Sequence, residues 1–138
     1  MKKIYLAGAM GCYKDHYEYM LWRKCIEDAL SDKANVFNPA YFYNYENKLH
    51  KTEKEIMDFE LHNLRQSDVV VLNVGRIHES VGTIMEVSAA KELRIPIIAF
   101  GTENQINQLH PWLFNSVMRF ETDINQLIAY IEKYFINT

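Results

Sequence analysis

The stretch at residues 68–74 constrains the fold of this chain most strongly, because it is apolar almost throughout. A strand that is apolar on both faces is typical of the centre of a parallel sheet that helices cover on both sides. Four shorter apolar runs predict further strands, at residues 3–7, 35–38, 95–100 and 117–120. We therefore predict a five-stranded, mostly parallel sheet.

Amphipathic stretches separate these strands, and their apolar residues recur at helical spacing. The predicted helices cover residues 15–30, 52–66, 81–93, 104–115 and 122–135. Thr52 and Glu55 predict a capping box at the start of the second helix. Alternating strands and helices over 138 residues predict one α/β domain, residues 1–138, with a doubly wound flavodoxin-like or Rossmann-like sheet. Such sheets bind ligands beyond the carboxyl ends of the strands, where the strand order reverses.

Charge and hydropathy exclude several classes of partner. Fifteen Lys and Arg against eighteen Asp and Glu give a net charge of −3, which argues against a nucleic acid polymer as partner but not against a small phosphorylated ligand. No window reaches the roughly 20 apolar residues of a membrane span, and the apolar run at residues 4–10 is too short for a signal peptide. Cys12 and Cys25 have no metal or redox spacing, so we expect a cytoplasmic protein with reduced thiols.

The turn Gly8-Ala9-Met10-Gly11, directly after the first strand, is one candidate site. Glycines there let the backbone approach a ligand and leave amide groups free to donate. The turn lacks the spacing of a dinucleotide-binding loop and the ending of a P-loop. A tight turn into a helix is the alternative interpretation.

The segment from Ser80 to Glu86 is a second candidate, because it follows the central strand and opens a helix. Ser80 can cap that helix, and the amides of its first turn suit a hydroxyl, a phosphate or an anion. Gly82 lets a ligand lie close to the backbone, and Glu86 lies one turn further along. The alternative is a capped helix that carries one solvated glutamate.

The second helix offers three further polar side chains, Asp58, Glu60 and His62, which otherwise form an exposed face. Two carboxylates that converge on one pocket would suit displacement at an anomeric carbon. Tyr41, Phe42, Tyr43 and Tyr45 either stack on a planar ring or seal a loop or an interface. The five histidines have no metal-ligand spacing, and we expect neither a metal nor a cofactor.

The segments Ile4 to Gly8, Glu60 to Val71 and Ser80 to Glu86, followed by Ala89-Ala90 and Ile95 to Ile98, carry a family resemblance. Together they resemble the nucleoside 2-deoxyribosyltransferase family, which includes 2′-deoxynucleoside 5′-phosphate N-hydrolases. The resemblance covers residues 3 to about 100 in the same order. It implies a flavodoxin-like enzyme that cleaves the N-glycosidic bond between a base and deoxyribose.

The resemblance also implies roles for individual residues. Glu86 matches the nucleophile that forms a glycosyl-enzyme intermediate, Tyr5 matches a tyrosine that orients it, and Glu60 matches the acid associated with the departing base. The substrate-binding residues implied by the matching positions and the glycine turn are Gly8, Ala9, Met10, Ser80 and Gly82. The implied partners are a nucleoside or nucleotide and a free nucleobase. A homo-oligomer is also implied, with the aromatic loop and the segment Pro111 to Phe114 as candidate interfaces.

Two positions depart from the family pattern. The family usually has Asp where this chain has Glu60, and its phosphate-specific members have Arg where this chain has Gly11, although Lys14 and Arg23 are nearby. We therefore predict a transferase that acts on a 2′-deoxynucleoside. A 2′-deoxynucleoside 5′-monophosphate N-glycosidase and a non-catalytic nucleotide sensor are the alternatives.

Overall fold

Within residues 1–43 and 49–138, which the computed structural model describes, five strands form one parallel sheet. The strands are β1 (Lys3–Ala7), β2 (Asn35–Phe37), β3 (Val69–Asn73), β4 (Ile97–Phe100) and β5 (Arg119–Glu121). Their order is β2-β1-β3-β4-β5, and every neighbouring pair is parallel. The order reverses between β1 and β3, which confirms the predicted doubly wound sheet and places its ligand-binding crevice beside these two strands.

The helices are α1 (His16–Leu30), α2 (Glu53–Arg65), α3 (Val81–Glu92), α4 (Glu103–Asn107), α5 (Pro111–Phe114) and α6 (Ile124–Ile131), which ends in a π-helical turn (Glu132–Ile136). Two 3₁₀ turns lie at Pro39–Phe42 and Ile77–Glu79. The side chains of Asp15, Thr52, Ser80, Thr102 and Asp123 cap helix N-termini by accepting backbone N–H groups. In the part of the chain described, no helix combines the length and apolarity needed to cross a bilayer.

The hydrophobic core has two layers, because successive side chains of each strand point to opposite faces of the sheet. On one face Tyr5 and Val70 pack with Leu64 of α2 and Val87 of α3. On the other face the apolar side chains of β1, β3 and β4 pack against α1 and α6, through Ile4, Leu6, Val71, Ile98, Ile26 and Leu127. Tyr5 therefore lies on the side of the sheet that α2 and α3 cover.

The predicted helix at residues 104–115 is wrong, because this stretch contains two short helices. The first, α4, begins at a capping box that Thr102 and Gln105 form. Pro111 lacks the N–H group that a continuing helix would need, so the chain turns and α5 begins there. The predicted capping box of α2 is half formed: Thr52 accepts from the Glu55 amide, whereas the Glu55 carboxylate accepts from the amide of Lys51.

Candidate active site

Two adjoining cavities open at the carboxyl ends of β1 and β3, on the side of α2 and α3. The first, of 310 Å³, is called the polar cavity here, and its lining includes Gly8, Met10, Gly11, Glu79, Ser80 and Thr83. The second, of 430 Å³, is called the apolar cavity, and its lining includes Ile56, Met57, Leu61, Val81 and Met85. Tyr43, Glu60, Gly82 and Glu86 line both cavities. One compartment thus offers polar groups and the other a surface suited to a planar ring.

Glu86 is held in place by a hydrogen bond from the other side of the site. The hydroxyl of Tyr5 donates to Oε2 of Glu86. Tyr5 is fully buried in β1, and its ring stacks on Phe37 with the ring centroids 5.4 Å apart. Because Tyr5 is packed within the sheet, its hydroxyl holds the carboxyl group of Glu86, a residue that is only 9% exposed, in one orientation.

The start of α3 brings Glu86 to the edge of the polar cavity. The Ser80 side chain accepts from the Thr83 amide at 3.4 Å, and the hydroxyl groups of these two residues are 2.7 Å apart. This cap confirms that the helix begins just after Ser80, so Glu86 lies in its second turn. Among the described residues outside the backbone of α3, no atom lies within 4 Å of the position that a Cβ on Gly82 would occupy, so a ligand can approach this turn closely.

Glu60 is the second acid of the site, and it is partly buried. It reaches both cavities from α2, and its buried Oε1 has no hydrogen-bond partner among the described residues. Its neighbours on the helix point elsewhere: Asp58 pairs with Lys54, and His62 contacts Gln66. Of the three polar side chains predicted on this helix, Glu60 alone lines the cavities.

The two acids differ in the forces that act on their protons. Burial raises the pKa of Glu86 to about 7, against the Tyr5 hydrogen bond and the positive charge of Arg23, which lower it. Burial and then the charge of Glu86 raise the pKa of Glu60 to about 8, and only Arg23 opposes them strongly. Because Tyr5 donates to Glu86, whereas Oε1 of Glu60 has no partner among the described residues, Glu86 loses its proton first and Glu60 keeps its own. The pair therefore offers a nucleophile and a proton donor near neutral pH.

The remaining predicted residues divide into those at the site and those outside it. Gly8 and Met10 line the polar cavity, whereas Ala9 is buried and lines neither cavity. Phe42 stacks on Phe37 with ring centroids 5.7 Å apart, so it seals the loop onto the core. Tyr43 lines both cavities, and Tyr45 lies outside the described residues.

Three residues that lie at or behind the site had been given no role in it from the sequence. Thr83 and Glu79 line the polar cavity, and Glu79 forms a two-point ion pair with Arg76 at 2.6 and 2.7 Å. Arg23, considered near the first turn, is instead fully buried behind it. The position of Arg23 in the middle of a predicted helix, with apolar neighbours, was the available signal. Among residues 1–43 and 49–138, no three His, Cys, Asp or Glu side chains converge to hold a metal ion.

Two carboxyl groups that line one crevice at the switch point of a doubly wound sheet suit displacement at a sugar carbon. The sequence profile of the nucleoside 2-deoxyribosyltransferase family matches residues 4–126, and the chain belongs to this family. A search among curated proteins finds no match. Members of the family transfer or hydrolyse glycosyl groups of nucleosides.

Solved structures share the fold at low sequence identity. A 2-deoxyribosyltransferase from Bacillus psychrosaccharolyticus superposes with a TM-score of 0.72 at 21% identity, over 93% of this chain and 91% of that chain. A CMP N-glycosidase from Clostridium botulinum gives a TM-score of 0.65 at 15% identity, over 97% of this chain and 100% of that chain. A 2-desoxiribosyltransferase from Leishmania mexicana gives 0.69 at 13% identity, over 98% and 99%. These likenesses establish the fold.

Proposed function

We propose that this protein is a nucleoside 2-deoxyribosyltransferase that works through a covalent glycosyl intermediate on Glu86. One observation carries the proposal: the Glu86 carboxyl group, which accepts from Tyr5, shares two cavities with a second, partly buried acid, whose Oε1 has no hydrogen-bond partner in the described part of the chain. Simple binding of a nucleoside does not need two desolvated acids with unequal proton affinity, whereas displacement at a sugar carbon does.

In the first half-reaction a carboxylate oxygen of Glu86 attacks C1′ of the deoxyribose. The C1′–N bond breaks, its electron pair goes to the base nitrogen, and Glu60 donates its proton to the base. The Tyr5 hydroxyl holds the attacking carboxylate, because burial and the nearby carboxyl groups raise the pKa of the phenol and keep it protonated. The products are a deoxyribosyl ester of Glu86 and a neutral free base.

In the second half-reaction a new base attacks C1′ of the ester from the side that the first base left. Glu60, now a carboxylate, removes the proton from the attacking nitrogen, and Glu86 departs as a carboxylate. Two inversions at C1′ give net retention of configuration. The apolar cavity suits both bases in turn, because its aliphatic side chains present an apolar surface to a flat ring.

The substrate that the polar cavity fits best is a nucleoside without a 5′-phosphate. Three carboxyl groups, those of Glu60, Glu79 and Glu86, line this cavity, and no Lys or Arg of the described part of the chain does so. Arg76 is occupied by Glu79, and Arg23 is buried behind the cavity. A phosphate dianion would meet repulsion here, whereas a 5′-hydroxyl can hydrogen-bond to a carboxylate.

A hydrolase that uses water in the second half-reaction is the second candidate. The observation that favours it is the shared fold with the N-glycosidase from Clostridium botulinum. Transfer and hydrolysis differ only in what attacks the ester of Glu86, so the same side chains serve both reactions.

Assembly into a homo-oligomer is also part of the proposal. Five large apolar side chains of the 3₁₀ turn, α2 and α3 are exposed beside the cavities: Phe42, Met57, Phe59, Val81 and Met85. A second copy that covers this face would bury them and exclude water from the ester. Light scattering after gel filtration, with Met57→Glu as the variant designed to separate the copies, tests this part.

The experiment that tests the reaction incubates the protein with 2′-deoxyuridine and free adenine. Formation of 2′-deoxyadenosine indicates a transferase, whereas uracil and free deoxyribose without new nucleoside indicate a hydrolase. Repeating the reaction with 2′-deoxyuridine 5′-monophosphate tests the preference for a nucleoside. The Glu86→Ala variant should keep the far-ultraviolet circular dichroism of the wild type and release no base. Retention of near-normal turnover by this variant would overturn the assignment of the nucleophile.

A further inference from the structure

Arg23 on α1 is a fully buried arginine whose hydrogen bonds go to neutral oxygens. Its guanidinium donates to the carbonyl oxygens of Leu6 at 2.9 Å, Gly8 at 3.0 Å and Tyr19 at 3.0 Å. A fourth bond goes to Oδ1 of Asn38 at 3.2 Å. Within residues 1–43 and 49–138, no carboxylate forms an ion pair with it. The fold thus holds a cation in its interior without a direct counterion.

Such a cation is costly, because a buried charge loses its hydration and the four hydrogen bonds restore only part of it. An apolar side chain of similar length would fill the same space against Trp22, whose ring lies 4.6 Å from the guanidinium carbon. Burial lowers the pKa of Arg23 to about 10, so the group is still a cation at neutral pH. A charge kept in this position therefore calls for a role beyond packing.

The buried acids that this charge acts on are those of the active site. Glu86 and Glu60 both interact with Arg23 through space, together with the Tyr5 hydroxyl and, more weakly, Glu27 on α1. Glu27 accepts hydrogen bonds from Asn38 and Tyr41, so its carboxylate bonds to these two side chains and not to Arg23. Glu53 acts on Glu60 from one end of α2. Glu79, paired with Arg76, lines the polar cavity, and Lys54, paired with Asp58, lines the apolar cavity.

We propose that Arg23 is a positioning residue for the reaction. It fixes the end of β1 through the carbonyl groups of Leu6 and Gly8, and its positive charge balances one negative charge on the pair Glu86 and Glu60. Leu6 follows Tyr5 directly, and Gly8 lines the polar cavity, so the same side chain secures both the tyrosine and the cavity wall. The inference rests on the proposed function.

The charge count supports this role. With Glu86 ionised and Glu60 protonated, the guanidinium and the two acids sum to zero, and this is the state that the first half-reaction needs. Without the guanidinium, the same state leaves an uncompensated buried anion, and the site takes up a second proton instead. Neutralising Arg23 should therefore disable the nucleophile chiefly at low pH.

The test compares three variants over pH 5.5 to 9.5. Arg23→Met removes the charge and keeps an unbranched side chain against Trp22, Arg23→Lys keeps the charge with fewer donors, and Ile26→Val is a matched core change one turn further along α1. We expect Arg23→Met to move the acid limb of kcat/KM upward by about one pH unit and to lower activity about 10-fold at pH 6 and much less at pH 8.5. Arg23→Lys and Ile26→Val should keep the limb of the wild type.

Carbon-13 NMR titration of the glutamate carboxyl groups gives a readout that does not depend on turnover. We expect the two buried carboxyl groups to titrate at higher pH in Arg23→Met than in wild type, and unchanged in Arg23→Lys. If Arg23→Met does not fold, Arg23→Lys decides the question. An upward shift of the carboxyl titration in Arg23→Lys, which retains the cation, overturns the charge role. An equal loss of activity at every pH in Arg23→Met overturns it as well. A shifted titration in a protein that cleaves no nucleoside contradicts the proposed function and leaves the charge role standing.

Discussion

The hydroxyl of Tyr5 donates a hydrogen bond to the carboxyl group of Glu86, which lies 81 residues further along the chain. The contact joins the first strand of the sheet to the helix that follows the third, and it crosses the point where the strand order reverses. This hydrogen bond is the strongest interaction that opposes the effect of burial on the pKa of Glu86, so it favours the carboxylate form.

Removing the Tyr5 hydroxyl should weaken the nucleophile in a pH-dependent way. A hydrogen bond to a charged group contributes about 1.5–3 kcal/mol, which corresponds to roughly one to two pKa units. In Tyr5→Phe we expect the acid limb of kcat/KM to move upward from about pH 7 by that amount, with the largest loss of rate below pH 7. Phe37→Leu, which removes only the ring stacked on Tyr5, is the control and should leave the limb in place. An unshifted limb in Tyr5→Phe would contradict the role of the hydroxyl.

Removing the carboxyl group of Glu60 should slow departure of the base. General acid catalysis contributes typically 10²–10⁴-fold, so we expect kcat of Glu60→Gln to fall by about two to three orders of magnitude. The alkaline limb near pH 8, where Glu60 loses its proton, should disappear. Glu60→Asp keeps an acid on a shorter stem and should retain part of the rate. Asp58→Asn, on the same helix but paired with Lys54 at the surface, is the control. Steady-state rates over pH 6 to 10 check these outcomes.

The buried carboxyl group of Glu86 should cost stability at high pH. Burial raises the folded-state pKa of Glu86 from 4.5 to about 7. The stability that the protonated carboxyl group contributes is therefore complete below pH 4.5 and is lost as the pH rises through 7. Glu86→Gln carries no such penalty, so at pH 8.5 we expect its free energy of unfolding to exceed that of the wild type by about 3 kcal/mol, with the difference vanishing near pH 4.5. Urea denaturation at several pH values measures this. Glu92→Gln, at the exposed end of the same helix, should show no such gain, and a Glu86→Gln variant that is less stable at pH 8.5 would refute the prediction.

Two glycines of the site should respond in opposite ways to a methyl group. A Cβ on Gly8 would lie 2.9 Å from the Trp22 ring and 3.3 Å from the Asn73 side chain, so we expect Gly8→Ala to lose about 1–3 kcal/mol of stability. A Cβ on Gly82 meets no atom within 4 Å in residues 1–43 and 49–138 outside the helix backbone, and alanine favours a helix by about 1 kcal/mol over glycine. Gly82→Ala should therefore fold at least as stably as the wild type, while its methyl group narrows both cavities and raises KM several-fold. Thermal unfolding and steady-state kinetics of the two variants, side by side, check the contrast.

Local patterns in the sequence predicted most of the fold. The apolar run around β3 indicated the centre of a parallel sheet, and β1 begins and ends at the predicted residues, Lys3 and Ala7. The stretch at residues 104–115 was misassigned because the break depends on one residue, Pro111, and on a capping box formed by Thr102 and Gln105. The helical spacing of apolar residues continues through the break between α4 and α5, so the periodicity did not reveal the break.

The candidate site was predictable only in part. The segment from Ser80 to Glu86 could be identified from its cap and its glycine, and Glu60 from the family resemblance. The raised pKa values of Glu60 and Glu86 could not be predicted from the sequence. They arise from burial and from the approach of β1, α2 and α3, which lie far apart in the chain. Arg23 was the hardest to place, since its side chain passes behind β1 to oxygens of the backbone, which have no signature in the sequence.

Every described residue that lines the polar and apolar cavities precedes Val87 in the chain, whereas β4, β5 and α6 supply the rest of the sheet and its outer helix. The earlier part of the chain therefore supplies the described lining of the candidate site, and the later part completes the sheet. Substitutions in the later stretch leave the described cavity lining untouched, so we expect them to affect the proposed reaction only through the packing of β3 and α3.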